Sequence, residues 1–539
     1  MKSDCLPFSQ IPHTTRLFAD FLSYRPEIRN FYPHSPYFHT WAKAEAEAIS
    51  YDSVRRERVA SLLERQNQAW EAPAKTMGNI ARLKQGAQAV VTGQQVGLFG
   101  GPAFSLYKAL TAVRLANDAT AAGVDCVPIF WLASSDHDLA EVNHVAIPGP
   151  DGALQRLTVS TQGLADAPVG TVTFGTEITP VVEQACNLLG DSEVSAWLRE
   201  AYRPGENFGS AFARLFGRLF AEWGVIFLDS SDPALGELAA PLYRAAIEKA
   251  GALNEALLAR GTELETAGYH QQARVTQSST LLFALREGSR IPIQHREQAS
   301  GSADFVIGDE IVSEGELVRR IASQPGKFSA NVLLRPVVQD FLLPTVAYTG
   351  GAAEAAYFAQ AAVVYSALLG RVTPIVPRFS ATIVEQKPAA LLQRHGISIP
   401  DLFGGPEFVR ELLAARNLPQ ELQRAFDSAT ASLNESLGAI RGHLERLDKT
   451  LVDAANHAGD KMQYQLTQLR ARAARAELRQ SEILSRHAEF LNQALYPNKT
   501  LQEREVAGVY FLARHASALL YGLYDAIRSD CLDHQVVFL

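Results

Sequence analysis

Short, continuous apolar runs recur along the chain from about residue 86, and each gives way to small or polar residues before a helical stretch. The runs are Ala89–Thr92, Cys126–Leu132, Val225–Asp229, Leu342–Tyr348 and Val372–Val376. Runs of this length suit strands that are buried on both faces. Their alternation with helical stretches predicts an α/β core built on a doubly wound parallel sheet. Because ligands bind at the carboxyl ends of strands in such sheets, the residues after each run are the candidates for chemistry.

A proline-free segment from Phe426 to about Leu495 has a different pattern. Apolar residues recur there at spacings that alternate four and three, at Leu433, Leu437, Ile440, Leu444, Leu447, Leu451, Ala454 and Ala458. This is the spacing of a coiled-coil seam. The register shifts near Asn456–Asp460, which indicates either a stutter or a turn between antiparallel helices. Pro497 then ends this helical arm, because proline stops a helix.

These patterns divide the chain into four predicted parts. They are an N-terminal extension packed on the core (1–85), the core itself (86–385, with insertions at about 145–205 and 288–330), a helical coiled-coil arm (386–500) and a C-terminal helix that returns to the core (501–539). The two insertions are richer in turn-forming residues and have weaker periodicity than the core around them. A chain of 539 residues is long enough for several such parts.

Composition narrows the function classes. The net charge of −8 gives no general electrostatic attraction to nucleic acid. The four cysteines, Cys5, Cys126, Cys186 and Cys531, are far apart and form no CxxC pair, which argues against a disulfide framework and a structural metal site. The N-terminus lacks the apolar core of a signal peptide, and no apolar run reaches the length that spans a bilayer. We therefore predict a cytoplasmic protein that binds neither nucleic acid nor membrane.

The segment AVVTGQQVGLFGGPAFSLYKALTAVRLA (89–116) is typical of a strand, a glycine-rich loop and a helix. Its glycines, at positions 93, 97, 100 and 101, allow sharp turns and close approach to a ligand, and the helix N-terminus favours an anion. The spacing matches neither a Walker A loop nor the dinucleotide GxGxxG motif. Gln94 and Gln95 could bind a polar ligand, and Lys108 could face the cleft or lie on the surface. A tight turn without a ligand is the alternative.

The segment PIFWLASSDHDLAEVNH (128–144) places many polar side chains directly after an apolar strand. One interpretation is recognition of an amine and hydroxyl groups by Asp136 and Asp138, with His137 as an acid or base. A second is a metal site that includes His144 with these three residues. A third is simple capping of the helix that begins near Leu139.

Two further segments repeat the arrangement of strand, loop and helix. In FLLPTVAYTGGAAEAAYFAQ (341–360), Gly350 and Gly351 permit close approach, and Glu354 could bind a ligand amine or complement the helix dipole. In TPIVPRFSATIVE (373–385), Arg378 follows a strand and would suit an anion, with a structural salt bridge as the alternative. Several loops of one sheet thus bring glycines, an arginine, carboxylates and a histidine to one edge, as in small-molecule enzymes.

Four of these stretches, in this order, resemble the BshC family, the cysteine ligases of bacillithiol biosynthesis. They are TGQQVGLFGGPAFSLYK, FWLASSDHDLAEVNH, LPTVAYTGGAAEAAYFAQ and VPRFSAT, and LYPNKTLQERE at 495–505 also resembles the end of that family's helical arm. The resemblance implies a Rossmann-like core with insertions, similar to nucleotidyltransferases and class I aminoacyl-tRNA synthetases. It also implies a coiled-coil domain that supports a homodimer.

The implied reaction joins the cysteine carboxyl to the glucosamine amine of glucosaminyl-malate, with ATP and Mg²⁺ activating the carboxyl and no tightly bound metal. The synthetase signatures are absent, so both an adenylate and an acyl phosphate stay open. By hypothesis the four glycines hold an anion, Arg378 matches its charge, and Asp136, His137 and Asp138 are catalytic. The remaining binding residues that we predict are Thr92, Gln94, Gln95, Lys108, Ser135, Asn143, His144, Gly350, Gly351, Glu354 and Ser380.

Two rival functions belong to other classes. A metal-dependent hydrolase would use Asp136, His137, Asp138 and His144 as ligands, and bound metal after purification would favour it. A non-catalytic scaffold would act through the coiled coil alone, and failure to bind any nucleotide, amino acid or sugar would support it.

Overall fold

The computed structural model describes residues 1–160, 167–297, 303–416, 418–480, 482–528 and 530–539. The strands are Lys2–Leu6 (β1), Gln88–Gln94 (β2), Cys126–Leu132 (β3), His144–Pro148 (β4), Leu154–Thr158 (β5), Ile226–Asp229 (β6), Ser279–Arg286 (β7), Ser289–Glu297 (β8), Ala303–Ile307 (β9), Glu310–Ser313 (β10), Phe328–Ala330 (β11), Thr345–Gly350 (β12), Ile375–Pro377 (β13), Ala381–Val384 (β14) and His534–Phe538 (β15). The α-helices are Arg16–Leu22 (α1), Ala42–Ala48 (α2), Ser53–Ala69 (α3), Ala74–Gln85 (α4), Phe104–Ala121 (α5), Leu139–Val142 (α6), Ile178–Leu189 (α7), Glu193–Ala201 (α8), Phe208–Leu219 (α9), Pro233–Glu248 (α10), Ala250–Thr266 (α11), Glu314–Ser323 (α12), Arg335–Leu342 (α13), Ala352–Leu369 (α14), Gln386–His395 (α15), Ile399–Leu402 (α16), Gly405–Arg416 (α17), Gln420–Leu447 (α18), Leu451–Gln480 (α19), Glu482–Leu495 (α20), Gln502–Glu505 (α21) and Gly508–Ala526 (α22).

Five strands form a parallel sheet in the order β13-β12-β2-β3-β6. The predicted α/β class with a doubly wound parallel sheet is confirmed. Numbered along the chain, the five strands lie in the order 5-4-1-2-3, so the winding direction reverses between β2 and β12. Ligands of such sheets bind in the crevice beyond the carboxyl ends of the strands at this reversal. The topology therefore predicts a site beyond the ends of β2 and β12.

The sheet is buried on both faces, which explains the unbroken apolar runs. On β2, Ala89 and Val91 belong to one core cluster while Val90 belongs to another, as expected when successive side chains point to opposite faces. The strand that we predicted from the apolar run at 342–348 starts too early, because Leu342 ends α13 and the strand begins at Thr345.

Helix α14 is long and apolar enough to cross a membrane by length and composition, contrary to our expectation that no run reaches that length. More than half of this helix is buried inside the fold, with contacts to α11 and α13. Core packing therefore accounts for its apolar composition.

The two predicted insertions carry their own secondary structure. The first contains the antiparallel hairpin β4–β5 followed by α7 and α8, and its residues 161–166 lie outside the described residues. The second is a five-stranded antiparallel sheet, β10-β9-β8-β7-β11, with α12 beside it, and its residues 298–302 likewise lie outside them. This sheet starts at Ser279, earlier than predicted.

The N-terminal extension contributes to the main core through buried residues such as Leu17 and Phe21. Cys5 and Cys531 form a disulfide that links the two ends of the chain, whereas we expected no disulfide. Because these cysteines are 526 residues apart, their spacing contained no sign of the pairing. Cys126 and Cys186 are buried free thiols.

The chain divides into two compact units: Met1–Thr382 with Glu503–Val537, and Ile383–Gln502 with Phe538–Leu539. In the second unit, α18 and α19 pair as an antiparallel hairpin, with Arg470 bonded to Asp427 and Gln463 bonded to Asn434. The turn lies at residues 448–450, where the Asp448 carboxylate accepts from the Thr450 backbone N–H at 2.8 Å. The predicted break at 456–460 lies inside α19, where Gly459 allows close approach to Leu437.

Candidate active site

A cavity of about 730 Å³ lies at the crevice that the sheet topology predicts. It is lined by residues at the ends of β2, β3 and β12 and by residues of α11, β7 and β8. The predicted site residues that line it are Gly93, Gln94, Gln95, Lys108, Ser135, Asp136, Gly351, Glu354 and Arg378. Those that do not line it are Thr92, Gly97, Gly100, Gly101, His137, Asp138, Asn143, His144, Gly350 and Ser380.

Lys108 and Glu354 form a buried ion pair between the ends of β2 and β12, with 2.6 Å between Nζ and Oε2. The Lys108 ammonium also donates to the Gly93 carbonyl at 2.8 Å and to Gln94 Oε1 at 2.7 Å, so all three of its protons are used. Burial lowers the pKa of Lys108 to about 8, although Glu354 opposes that shift. Lys108 therefore faces the cleft, and its ion pair with Glu354 links the segment 89–116 to the segment 341–360.

The Glu354 carboxylate has several partners besides Lys108. It accepts the Tyr348 hydroxyl at 2.5 Å and the Gly351 backbone N–H at 2.7 Å, the latter as part of a capping box. Burial raises the pKa of Glu354, but Lys108 and these hydrogen bonds outweigh burial and hold the pKa below its usual value. These contacts fit the structural alternative for Glu354, in which it stabilises the start of α14, and its side chain also lines the cavity.

The glycines at 97, 100 and 101 shape the turn between β2 and α5. Gly100 has φ +86°, and a Cβ atom there would lie 2.7 Å from Cε2 of the buried Phe216. Its backbone N–H donates to the Tyr202 hydroxyl at 3.2 Å. Gly100 thus allows close packing of the loop on α9, and all three glycines lie outside the cavity wall.

Gly100→Ala is expected to lower the free energy of unfolding by about 2–4 kcal/mol, because it adds a clash to an unfavourable φ. Gly123→Ala is the matched control, since Gly123 has φ +90° but no atom within 4 Å of the added Cβ. It should cost about 1 kcal/mol. Equal losses in urea unfolding of the two variants would show that contact with Phe216 does not constrain this position.

Asp136 is the predicted catalytic carboxylate that reaches the cavity, directly beyond β3. It accepts from Gln95 Nε2 at 2.9 Å and from the His137 backbone N–H at 2.8 Å. The imidazole Nδ1 of His137 lies 3.3 Å from Asp136 Oδ1, and Arg290 Nη1 lies 3.4 Å from the same oxygen. The carboxylate is held by neutral donors and one arginine but stays about one-third exposed, so it is accessible to a ligand.

Asp138 and His144 serve the local backbone. The Asp138 carboxylate caps α6 by accepting the Glu141 N–H at 3.1 Å, and His144 Nδ1 lies 3.0 Å from the Ala140 carbonyl oxygen. Within the described ranges, no three His, Cys, Asp or Glu side chains are placed to hold a metal ion together. Capping, one of our three interpretations, accounts for Asp138.

Arg378 is already paired with a carboxylate that we did not predict. It donates to both oxygens of Glu503, at 2.6 and 3.2 Å, and the two side chains are 5% and 1% exposed. Glu503 also accepts the Ser380 hydroxyl at 3.0 Å and the Ala381 N–H at 3.0 Å. The structure thus shows the salt bridge that we kept as an alternative, and Ser380 supports it.

His534 extends this buried cluster. Its Nδ1 lies 2.7 Å from the Ser380 hydroxyl and its Nε2 lies 2.8 Å from the Thr382 hydroxyl. Burial lowers the pKa of His534 to about 4, which Glu503 opposes and Arg378 reinforces. The imidazole is therefore neutral in the folded protein at pH values where the unfolded chain is protonated.

Stability should consequently fall as the pH drops from 6.5 towards 4. Above pH 6.5 both states are neutral at His534, and between these limits only the unfolded chain takes up the proton, which costs the fold roughly 3 kcal/mol in total. His534→Gln should remove that part of the pH dependence, as measured by urea unfolding from pH 7.5 to 4.5, whereas His13→Gln at an exposed position should not. Parallel pH profiles for wild type and His534→Gln would refute this assignment.

Several cavity residues escaped the sequence analysis. Four are arginines, Arg274 before β7, Arg290 on β8, Arg335 at the start of α13 and Arg504 on α21, and one is Trp131 at the end of β3, whose buried Nε1 has no hydrogen-bond partner in the described chain. Arg504 lies in the LYPNKTLQERE stretch, which was a usable signal. Arg290 lies in an insertion without clear periodicity, so nothing in its surroundings indicated a site.

Comparisons with known proteins agree over the whole chain. Residues 1–379 match the family model "Bacillithiol biosynthesis BshC, N-terminal Rossmann-like domain", and residues 381–539 match "Bacillithiol biosynthesis BshC, C-terminal coiled-coil domain". Relatives named "Putative cysteine ligase BshC" include one from Koribacter versatilis, 47% identical over the full length of both chains, and one from Solibacter usitatus, 38% identical over the full length of both. One from Salinibacter ruber is 33% identical over 97% of this chain and 96% of its own.

Proposed function

The chain belongs to the BshC family of cysteine ligases, and on that premise we propose that it joins the cysteine carboxyl to the glucosamine amine of glucosaminyl-malate. ATP with Mg²⁺ is the proposed energy source. The observation that carries the proposal is the cavity at the reversal of the sheet. It combines an accessible carboxylate, Asp136, with a surplus of cationic side chains for anionic substrates.

Amide formation requires a carboxyl group with a good leaving group and an amine that loses a proton. The amine nitrogen forms the new bond to the carboxyl carbon, the bond from that carbon to the phosphorylated oxygen breaks, and one proton leaves the nitrogen. We assign the amine and its proton to Asp136, which Gln95 and the His137 backbone orient. The His137 imidazole, 3.3 Å from that carboxylate, passes the proton on or stabilises the charge.

The residues present fit a nucleotide bound with magnesium. Phosphate groups suit cationic side chains, and Arg290, which lines the cavity 3.4 Å from Asp136, is such a side chain. Glu141, which also lines it, supplies a carboxylate of the kind that holds Mg²⁺ beside phosphates. The role of nucleotide and metal would be to provide the leaving group on the cysteine carboxyl.

A homodimer through the helical hairpin is part of the proposal. Apolar side chains that are exposed on α18 and α19 include Leu422, Ile440, Leu447, Leu451, Met462, Tyr464 and Leu469. Exposed apolar side chains at coiled-coil spacing are typical of a surface that a second helix covers. Light scattering of the wild type should give twice the mass of one chain. The double variant Ile440→Lys with Leu469→Lys should give the mass of a single chain.

The partners that we propose are therefore two small molecules and a second copy of the chain, with no nucleic acid and no membrane. A cytoplasmic location fits this reaction, because the cytoplasm holds ATP.

The direct test is a ligation assay with purified protein, cysteine, glucosaminyl-malate and Mg-ATP, read by mass spectrometry. Bacillithiol together with AMP would support the proposal with an adenylate, and bacillithiol with ADP would support it with an acyl phosphate. If folded protein gives no product at substrate concentrations far above the KM values of typical ligases, the proposal is overturned. Serine in place of cysteine is the matched control for the thiol substrate.

A further inference from the structure

The cationic side chains around the cavity differ in whether protein carboxylates already neutralise them. Lys108 is paired with Glu354, and Arg378 is paired with Glu503. Arg290 lies 3.4 Å from Asp136. Arg335 and Arg504 line the same cavity, and in the part of the chain that the structure describes neither has a carboxylate at ion-pair distance. These two positive charges therefore remain for a ligand, together with that of Arg274, an exposed arginine of the cavity wall that has no carboxylate at ion-pair distance in the described residues.

Arg335 is held in place by neutral groups. Its Nη2 donates to the Tyr357 hydroxyl at 2.7 Å and its Nη1 donates to Gln339 Oε1 at 3.3 Å. Its guanidinium also lies 5.4 Å from the centre of the Tyr348 ring, a cation–π contact. A half-buried cation that is oriented but not neutralised is costly by itself, and a bound anion removes that cost.

Arg504 makes no hydrogen bond or ion pair within the described ranges. The neighbouring Glu503 is not available to it, since both oxygens of that carboxylate bind Arg378. Arg504 lies within electrostatic reach of Arg378 and Glu354, and Arg335 lies within reach of Glu354. Arg335 thus lies over Tyr348 of β12 and also lines a smaller cavity with Trp131 and Ser135, whereas Arg504 follows Glu503, the partner of Arg378 beyond β13.

Charge is therefore distributed unevenly along the carboxyl edge of the sheet. Arg504 lies at the β13 end and Arg335 lies over β12, whereas the accessible carboxylate of Asp136 lies beyond β3. Gln94 and Gln95 lie between them, at the end of β2, where amide groups suit sugar hydroxyls. An acceptor with an amine at one end, a sugar in the middle and two carboxylates at the other end matches this order.

We propose that Arg335 and Arg504 bind the two malyl carboxylates of the acceptor, so that it lies across the sheet edge with its amine at Asp136. This inference rests on the proposed function. The reacting phosphate cannot be the anion at this end, because the phosphorylated carboxyl must lie within about 3–3.5 Å of the attacking amine. Arg335 and Arg504 accordingly determine specificity for an acidic acceptor, and they do not touch the atoms that react.

The test combines binding and kinetics of Arg335→Met and Arg504→Met. Each variant should weaken binding of L-malate, measured by calorimetry, roughly 10- to 100-fold, and should raise the KM for glucosaminyl-malate similarly, because one charge-assisted hydrogen-bonding group is lost. The KM values for ATP and cysteine should stay within about twofold. Arg335→Lys should recover only part of the affinity, since lysine keeps the charge but not the planar fork. Arg156→Met, outside the cavity, is the control.

The outcomes separate the possible anions. Unchanged malate binding in both variants, or a rise in the KM for ATP instead of the KM for the acceptor, would overturn the inference and assign the arginines to phosphate. Glucosamine without malate should be a poor acceptor for the wild type and no poorer for the variants. Malate binding requires no turnover, so a wild type that binds malate through these arginines but ligates nothing would refute the proposed function and leave the dicarboxylate site intact.

Discussion

Glu503→Gln is expected to lower the free energy of unfolding by about 3–5 kcal/mol, which is the usual loss when one partner of a buried ion pair is removed. Arg378 would lose its counterion in a site where its side chain is only 5% exposed. One glutamine oxygen would become an NH₂ group facing donors, because the Arg378 guanidinium, the Ser380 hydroxyl and the Ala381 N–H all donate to this carboxylate. Urea unfolding at pH 7.5 measures the effect.

A double variant tests the physical reason. Arg378→Met with Glu503→Leu removes both charges, and it should destabilise the protein less than either single change, because no unpaired charge stays buried. Glu183→Gln breaks an exposed ion pair with Arg199 and should leave the unfolding midpoint unchanged.

The Glu503→Gln variant also distinguishes two roles of Arg378. If Arg378 bound a substrate anion, as the sequence suggested, Glu503→Gln would free its guanidinium and change a KM while stability stayed near that of the wild type. A stability loss of the expected size, with KM values altered only by unfolding, would show that the pair is structural. The structure favours the second result, because the guanidinium fork already holds both oxygens of one carboxylate.

The parallel core was predictable because a strand that is buried on both faces needs apolar residues at successive positions, and such runs are visible in the sequence. Unbroken apolar runs such as 126–132 require a strand without a solvent face, and β3 is buried along its whole length. The order of the strands was not predictable, since it depends on the direction in which each connection between strands crosses the sheet. The reversal between β2 and β12, which locates the cavity, became visible only in the structure.

The candidate site was likewise predictable from the sequence only in part. Sequence position identified Gln95, Lys108 and Asp136, because residues after buried strands share one edge of the sheet. It could not separate Asp136 from Asp138, two residues apart, of which one faces the cavity and the other caps α6. Nor could it see that Glu503, more than a hundred residues away, neutralises Arg378. Such pairings depend on tertiary contacts, which local patterns do not encode.

The helical arm illustrates a weaker signal. The heptad seam predicted long helices correctly, but the turn lies at residues 448–450 and not near 456–460. Gly459, which we took as part of a break, is accommodated within α19 because its missing side chain makes room for Leu437 on the facing helix. A glycine in a helical pattern can therefore indicate close packing as well as a turn.

Asp136→Asn is expected to reduce kcat for bacillithiol formation by about 10²–10⁴-fold, the usual contribution of a positioned proton acceptor. Asparagine has the same shape but carries no charge and takes no proton. Its single oxygen can keep only one of the two hydrogen bonds, because Gln95 and the His137 N–H donate to different oxygens of Asp136. Stability should change little, because the Asp136 side chain is about one-third exposed. Asp138→Asn should retain activity within a few-fold, since asparagine also caps helices.

Hydroxylamine shows which step Asp136 serves. It attacks an activated carboxyl without help from a general base, so it traps activated cysteine as the hydroxamate. If Asp136 takes the proton from the acceptor amine, the Asn variant should form cysteine hydroxamate from Mg-ATP at nearly the wild-type rate while it fails to make bacillithiol. Equal loss of both products would place Asp136 in carboxyl activation, and retention of both would exclude it from catalysis. Because Arg290 loses the Asp136 carboxylate in this variant, Arg290→Met is the necessary comparison. An effect much smaller than that of Asp136→Asn would attribute the loss to the carboxylate itself.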